Sequence, residues 1–231
     1  MSEKLVIFDF ADTIAKLSPS KEELLQSFIL EEIDLNIPLE TIAEVYHYAT
    51  NLIFYSSVSI HDINAKKEFY EEFNQNIIAL LGISHLIDTS KLFDYFNVNG
   101  QHWILKDEVI ELFVELKSKG YLISLVSNFD TRLYDVLNKM KISNYFDSIF
   151  ISQEVGLEKP DTEFFKLPLK KHNIKAENSF FIGDSYLLDF IPSNKLGINS
   201  ILLDENNKYS VIHKFQKISS IKNCIDIICK E

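Results

Sequence analysis

Between residues 107 and 203 the chain repeats one pattern four times, a stretch with helical apolar spacing followed by a short, mostly apolar run, and this alternation constrains the fold more than any other feature. The helical stretches are 107–119, 131–140, 162–172 and 186–195, and the runs that follow them are 121–126, 148–152, 179–182 and 200–203. Runs of that length, bounded by polar punctuation, mark strands buried on both faces, so each helix crosses over the sheet and starts the next strand parallel to the last. One more such run, 4–8, precedes the repeats, and a strand-like 217–221 and a short C-terminal helix follow them. The expected fold is α/β, with a Rossmann-like three-layer core built on a parallel sheet.

After Ile14 the pattern changes. Residues 20–33, 39–54, 66–81 and 90–96 have helical spacing and little that resembles a strand. Pro19-Ser20 and Ile37-Pro38 supply helix-start punctuation, and 97–100 reads as an exit loop. The expected organisation is a core of residues 1–15 and 103–231 interrupted by an α-helical insertion, 16–102. A chain of 231 residues has room for both.

Charge excludes some partners. A net charge of −11 works against a broad nucleic-acid surface or an anionic membrane surface, because neutralising phosphates needs clustered cations. No apolar run is long enough for a membrane span, and the N-terminus lacks the cationic and long apolar regions of a secretion signal, so the cytoplasm is the expected location. Cys224 and Cys229 fit neither a disulfide framework nor a zinc spacing.

In a doubly wound sheet the carboxyl ends of the strands share one edge, where residues distant in sequence converge. Three expected strand ends carry polar residues that their apolar interiors do not explain: Asp9 with Asp12 and Thr13, Ser127-Asn128, and Gly183-Asp184-Ser185. Lys159-Pro160, ahead of a helix starting near Asp161, would bring a cation to the same edge. Turn formation is the competing account of the strand-end Asp residues and of Asn128, and Asp130 fits a cap for the helix that starts at Thr131.

Four ordered motifs now stand out: Val6-Ile7-Phe8-Asp9-Phe10-Ala11-Asp12-Thr13, then Leu125-Val126-Ser127-Asn128, then Gly156-Leu157-Glu158-Lys159-Pro160-Asp161, then Phe181-Ile182-Gly183-Asp184-Ser185 with Asp189. In this order, across nearly the whole chain, they resemble the haloacid dehalogenase superfamily, and Ser127 to Leu133 with Gly183 to Phe190 look most like its rhythmically expressed gene product branch. The resemblance implies a helical cap inserted after the first motif. It also implies a magnesium-dependent phosphatase acting on a small phosphorylated metabolite. Asp9 would be the nucleophile, forming an aspartyl-phosphate that water hydrolyses. Asp9, Asp184 and the backbone carbonyl of Ala11 would hold Mg²⁺, with Asp12, Thr13 and Asp189 supporting them. Lys159 would offset charge and orient Asp9, while Ser127, Asn128 and Lys159 would bind the phosphate.

Ala11 is the departure. Most phosphatases of the superfamily carry a second Asp two residues after the nucleophile, which protonates the leaving group and later activates water; alanine does neither. Asp12, one residue on, is a substitute only if it can reach the same side of an extended segment, where adjacent side chains point to opposite faces. Otherwise the substrate has a good leaving group or supplies its own proton, or the protein binds a phosphorylated ligand with weak or no turnover. Superfamily relatives that cleave carbon–phosphorus bonds also have alanine here, but they use a cap lysine, for which Lys21, Lys66, Lys67 and Lys91 are the choices. Dehalogenation needs no metal and fits less well with an Asp at 184.

Overall fold

A computed structural model describes residues 4–53, 63–100, 102–209 and 215–230, and the side chains of 51–53 and 63–67 are outside that description. The chain divides into two compact units, Met1–Lys16 with Ile104–Glu231, and Leu17–Trp103.

The first unit contains β1 (Leu5–Phe8). A short β2 (Ala15–Leu17) pairs with β3 (Trp103–Leu105) in a two-stranded sheet. Between those two strands come α1 (Lys21–Ile33), α2 (Leu39–Ile53), α3 (Ile63–Leu80) and α4 (Leu92–Asn99). The remainder is α5 (Val109–Ser118), β4 (Leu122–Ser127), α6 (Leu133–Lys139), β5 (Ser148–Ile151), α7 (Ser152–Val155), α8 (Thr162–His172), β6 (Ser179–Gly183), a π-helical turn (Tyr186–Phe190), α9 (Ile191–Lys195), β7 (Asn199–Leu203), β8 (Lys217–Ile218) and α10 (Cys224–Ile228).

The main sheet is parallel throughout, in the order β5-β4-β1-β6-β7-β8. Counted along the chain, its strands run 3-2-1-4-5-6, the order of a doubly wound Rossmann-like sheet. The order reverses between β1 and β6, where Phe8 is level with Ile182. That reversal opens a crevice at the carboxyl ends of these two strands, and Asp9 and Asp184 are the residues that lie just beyond them.

The four residues of β1 are fully buried because both faces of the sheet are covered. Leu5 and Ile7 pack with Phe164 and Phe165 of α8, whereas Phe8 meets Phe113 of α5 edge to face with ring centroids 5.3 Å apart. Alternation along one strand therefore feeds two helical layers. The Leu17–Trp103 unit has its own core, in which Leu25, Phe28, Ile42, Tyr46, Ile77 and Leu92 are buried together. Its first helix starts with a reciprocal cap: the Glu23 N–H donates to Ser20 Oγ at 3.2 Å, and the Ser20 N–H donates to Glu23 Oε2 at 2.7 Å.

Several boundaries differ from the sequence expectation. The expected strand 217–221 is two residues long, and Ile221 starts a 3-10 turn. Ser152 opens α7 rather than closing a strand, and α4 runs through the expected exit loop to Asn99. The expected helix 186–195 begins with the π-helical turn, and the pairing of β2 with β3 was not anticipated. Phe54, at the end of the expected second helix, lies outside the described residues.

Candidate active site

Asp9 sits at the carboxyl end of β1, and its N–H donates to the Ile182 carbonyl at 2.9 Å, which holds it beside β6. Asp9 is 5 % exposed. Lys159 Nζ donates to Asp9 Oδ1 at 2.6 Å and to Asp189 Oδ1 at 2.7 Å, and the Thr13 hydroxyl donates to Asp9 Oδ2 at 3.3 Å. Lys159 and Asp189 are as buried as Asp9. Burial pushes the Asp9 carboxyl up to about 6; the Lys159 ammonium pulls against that rise and the Asp189 carboxylate adds to it. Burial also works against the charge on Lys159, but Asp189 and Asp9 outweigh it and hold the ammonium above the ordinary lysine value.

Asp189 reaches inward because of how the backbone after β6 turns. The Ser185 carbonyl accepts from both the Asp189 N–H at 3.0 Å and the Phe190 N–H at 3.1 Å, the widened spacing of a π-turn. The Ser185 N–H in turn donates to Asp189 Oδ2 at 3.0 Å. Gly183 makes room for this side chain: a Cβ there would stand 2.4 Å from the Asp189 carboxylate carbon.

Lys159 is fixed by its backbone as well as its ammonium. Asn128, just past β4, accepts from the Lys159 N–H at 2.7 Å through Oδ1 and donates to the Lys159 carbonyl at 2.9 Å through Nδ2. One side-chain amide thus stands in for a strand partner across a gap of 31 residues. Asn128 is one of the residues that the family resemblance assigns to the phosphate. In the structure Oδ1 and one Nδ2–H of its amide engage the Lys159 backbone.

Carboxylate oxygens of Asp9, Asp184 and Asp189 lie within 4.8 Å of one another. Among the described residues the Lys159 ammonium is the cation paired with these carboxylates, and a net negative charge in a mostly buried pocket is costly unless a further cation offsets it. The donors are all oxygen, the set a hard divalent ion takes. Both oxygens of Asp189 already accept hydrogen bonds, from Lys159 and from Ser185, whereas Asp184 is half-buried at the mouth of the cluster. The residues present therefore fit Mg²⁺.

The other expected residues fall at the same edge with different environments. Ser127 ends β4 and is buried. Ala11 is half-buried and forms a bridge with Ala15. Asp12 is exposed, with φ of 57°, and is not part of the carboxylate cluster. Asp130 accepts from the Arg132 N–H at 3.1 Å, but the helix expected from Thr131 starts at Leu133, and its N-cap, Arg132, makes no side-chain capping bond, so Asp130 is not the cap the sequence suggests. Of the lysines considered for carbon–phosphorus cleavage, Lys91 pairs with Glu32 at 2.8 Å, Lys21 lies 6.0 Å from the Tyr46 ring centre, and the side chains of Lys66 and Lys67 lie outside the described residues. Among the described residues no helix is long and apolar enough to cross a membrane.

Residues 6–203 match the family of haloacid dehalogenase-like hydrolases. The chain is 25% identical over 237 residues to glyceraldehyde 3-phosphate phosphatase of Methanocaldococcus jannaschii, which covers 97% of this chain and 96% of that protein. A shorter stretch of 108 residues is 32% identical to the rhythmically expressed gene 2 protein of Drosophila melanogaster, covering 46% of this chain and 42% of the relative. Among solved structures, that of YfnB from Bacillus subtilis bound to magnesium superposes with a TM-score of 0.70 at 19% identity, covering 99% of each chain.

Proposed function

This chain belongs to the haloacid dehalogenase-like hydrolase family as an enzyme of the phosphatase type, and we propose that it is a magnesium-dependent phosphatase of small phosphorylated metabolites that uses Asp9 as its nucleophile. The observation that carries this reading is the buried cluster in which Lys159 bridges Asp9 and Asp189, with Asp184 beside it. In the same reading the helical insertion serves as a cap that selects substrate, and the protein is cytoplasmic.

Mg²⁺, held by Asp9, Asp184 and the Ala11 carbonyl, would supply positive charge to offset that of a phosphate beside three carboxylates. Lys159 holds Asp9 Oδ1, so the carboxylate has one orientation and needs little rearrangement to meet phosphorus. Ser127, at the end of β4, would donate its hydroxyl to a phosphate oxygen. An Asp9 oxygen forms a bond to phosphorus as the bond to the leaving-group oxygen breaks, and water then cleaves the aspartyl-phosphate, releasing phosphate and restoring the carboxylate. Ala11 has no proton to give and Asp12 is exposed outside the carboxylate cluster, so in this reading the leaving oxygen takes its proton from the substrate or from water. The Methanocaldococcus relative directs attention first to phosphorylated short-chain sugars.

The test is a panel of phosphorylated metabolites, triose phosphates first, assayed with magnesium for the parent and for Asp9→Asn. Phosphate release by the parent, lost at least a thousandfold in the variant, is the expected result on the scale of removing a covalent nucleophile. Release that survives the substitution removes Asp9 from its role. Ala11 favours a second reading, a phosphate-ligand binding protein with weak or no turnover, in which magnesium and phosphate raise the melting temperature while the panel stays silent.

A further inference from the structure

The turn that follows Asp9 is held from outside as well as from within. Inside it, the N–H groups of Thr13, Ile14 and Ala15 converge on the Phe10 carbonyl at 3.3, 3.0 and 3.1 Å, and the Asp12 N–H donates to the Ala15 carbonyl at 2.7 Å. Asp12 sits in the left-handed region, φ 57°, a conformation that Asp adopts more readily than most residues with a Cβ and that turns its carbonyl outward from the segment. From outside, Lys106 donates its ammonium to the Asp12 carbonyl and pairs with Glu205 at 2.8 Å, while its own N–H donates to the Ile14 carbonyl at 3.0 Å.

This is not an ordinary surface ion pair. The Lys106 side chain is 9% exposed, against 40% for Glu205, so most of its length is packed against the protein where it reaches a backbone carbonyl. Surface pairs contribute little, whereas a charge-assisted bond from an ammonium on a packed side chain to a peptide group fixes that group in place. Lys106 occupies the first position after β3, and Glu205 lies two residues beyond the end of β7, so a separate part of the core unit braces the lysine that holds the peptide.

We infer that Lys106 is a positioning residue: it locks the Asp12 peptide and thereby sets the Ala11 carbonyl on one side of it and the Thr13 hydroxyl on the other. Thr13 donates to the nucleophile, and Ala11 is the backbone ligand of the proposed metal site; the metal consequence rests on that reading. Where a side chain at position 11 contributes no chemistry, the direction of its carbonyl is what that residue offers, and Lys106 determines it from 94 residues away.

Two measurements test this on the metal-free full-length protein. Amide exchange of Thr13 and Ile14, referenced to amides of β6, reads the turn without metal, and calorimetric titration with Mg²⁺ reads the site. Lys106→Met is expected to speed the exchange of those two amides about tenfold and to raise the Mg²⁺ dissociation constant about tenfold, as loss of one charge-assisted bond implies. The substrate KM at saturating magnesium should stay within about twofold, and Lys106→Arg, which keeps a charged donor, should recover most of both effects. Exchange in Lys106→Met equal to that of the parent overturns the inference. Asp184→Asn separates the two claims: if it binds Mg²⁺ as the parent does, the metal reading fails, while faster exchange in Lys106→Met still supports the clamp. Should Lys106→Met not fold, Glu205→Gln takes its place, with an expected rise in exchange of about threefold and no rise overturning the inference.

Discussion

Gly183 and Asp189 occupy one space: a Cβ on the glycine would lie 2.4 Å from both Cγ and Oδ2 of the aspartate. The carboxylate cannot yield easily, because Lys159 and the Ser185 N–H grip its two oxygens. Gly183→Ala should therefore either displace Asp189 from Lys159 or push β6 off its register. We expect a loss of about 1–3 kcal/mol, seen as a melting temperature lower by roughly 3–10 °C. Activity should fall more than stability, since the displaced carboxylate leaves Lys159 paired to Asp9 alone. Thermal unfolding and steady-state kinetics of the same preparation check both parts.

Asn128 makes its two hydrogen bonds to the backbone of Lys159. Asn128→Ala removes both, at a cost of about 1–2 kcal/mol, and lets the lysine backbone drift. The expected kinetic signature is a kcat about tenfold lower, because the group that orients Asp9 is less well placed. Asn128→Asp keeps an acceptor for the Lys159 N–H but loses the donor to its carbonyl, so its kcat should lie between those of Asn128→Ala and the parent. An aspartate variant as poor as the alanine would mean that the side chain serves something other than this backbone pairing.

The sheet and the placement of Asp9, Lys159 and Asp184 could be read from the sequence because strand interiors are apolar on both faces, which makes a polar residue at a strand end conspicuous. What escaped the reading depends on contacts that leave no periodic mark. The strands Ala15–Leu17 and Trp103–Leu105 are three residues each, too short to establish alternation. The π-turn at Tyr186–Phe190 has the same apolar spacing as an α-helix, and what distinguishes it is a backbone bond from the Phe190 N–H to the Ser185 carbonyl, which spacing does not record. Asn128 was a strand-end polar residue like Ser127. Its commitment to Lys159 follows from the approach of two loops, which no local pattern records. Lys106 is one lysine among many, with no motif or spacing in the sequence to set it apart.

The raised Asp9 pKa makes a directional prediction for the metal-free protein. The folded state holds the proton at about 6, against an ordinary value of 3.8, so the folded state favours the acid form more than the unfolded chain does. Its contribution to stability is full below about 3.8 and is lost as pH rises through about 6. Other carboxyls, such as Asp88 and Glu163, are shifted downward and act in the opposite sense, so the parent alone does not isolate the effect. Subtracting the melting curve of Asp9→Asn at each pH does. The difference should turn against the parent between about pH 4 and pH 6 in a chelator-treated sample, and magnesium should reverse it at pH 7.5 more than at pH 5, because the ion binds the carboxylate and competes with the proton. A flat difference would mean that Asp9 titrates at its ordinary value.

Ala11→Asp asks whether proton transfer limits the reaction. The substitution puts a carboxyl where most phosphatases of this family have their acid and base, two residues after the nucleophile. It leaves the backbone carbonyl in the chain, so the proposed metal ligand is retained. If the natural leaving group is poor and unassisted, kcat should rise by about 10²-fold or more, and the new activity should fall on the alkaline side as the added acid loses its proton. If the natural substrate supplies its own proton or has a leaving group stable as an anion, the parent is already fast and the added carboxylate, facing an anionic substrate, should slow it. Comparing the two proteins on one substrate with an alkoxide leaving group and one with a phenoxide leaving group separates these cases, because a missing acid penalises the first far more than the second.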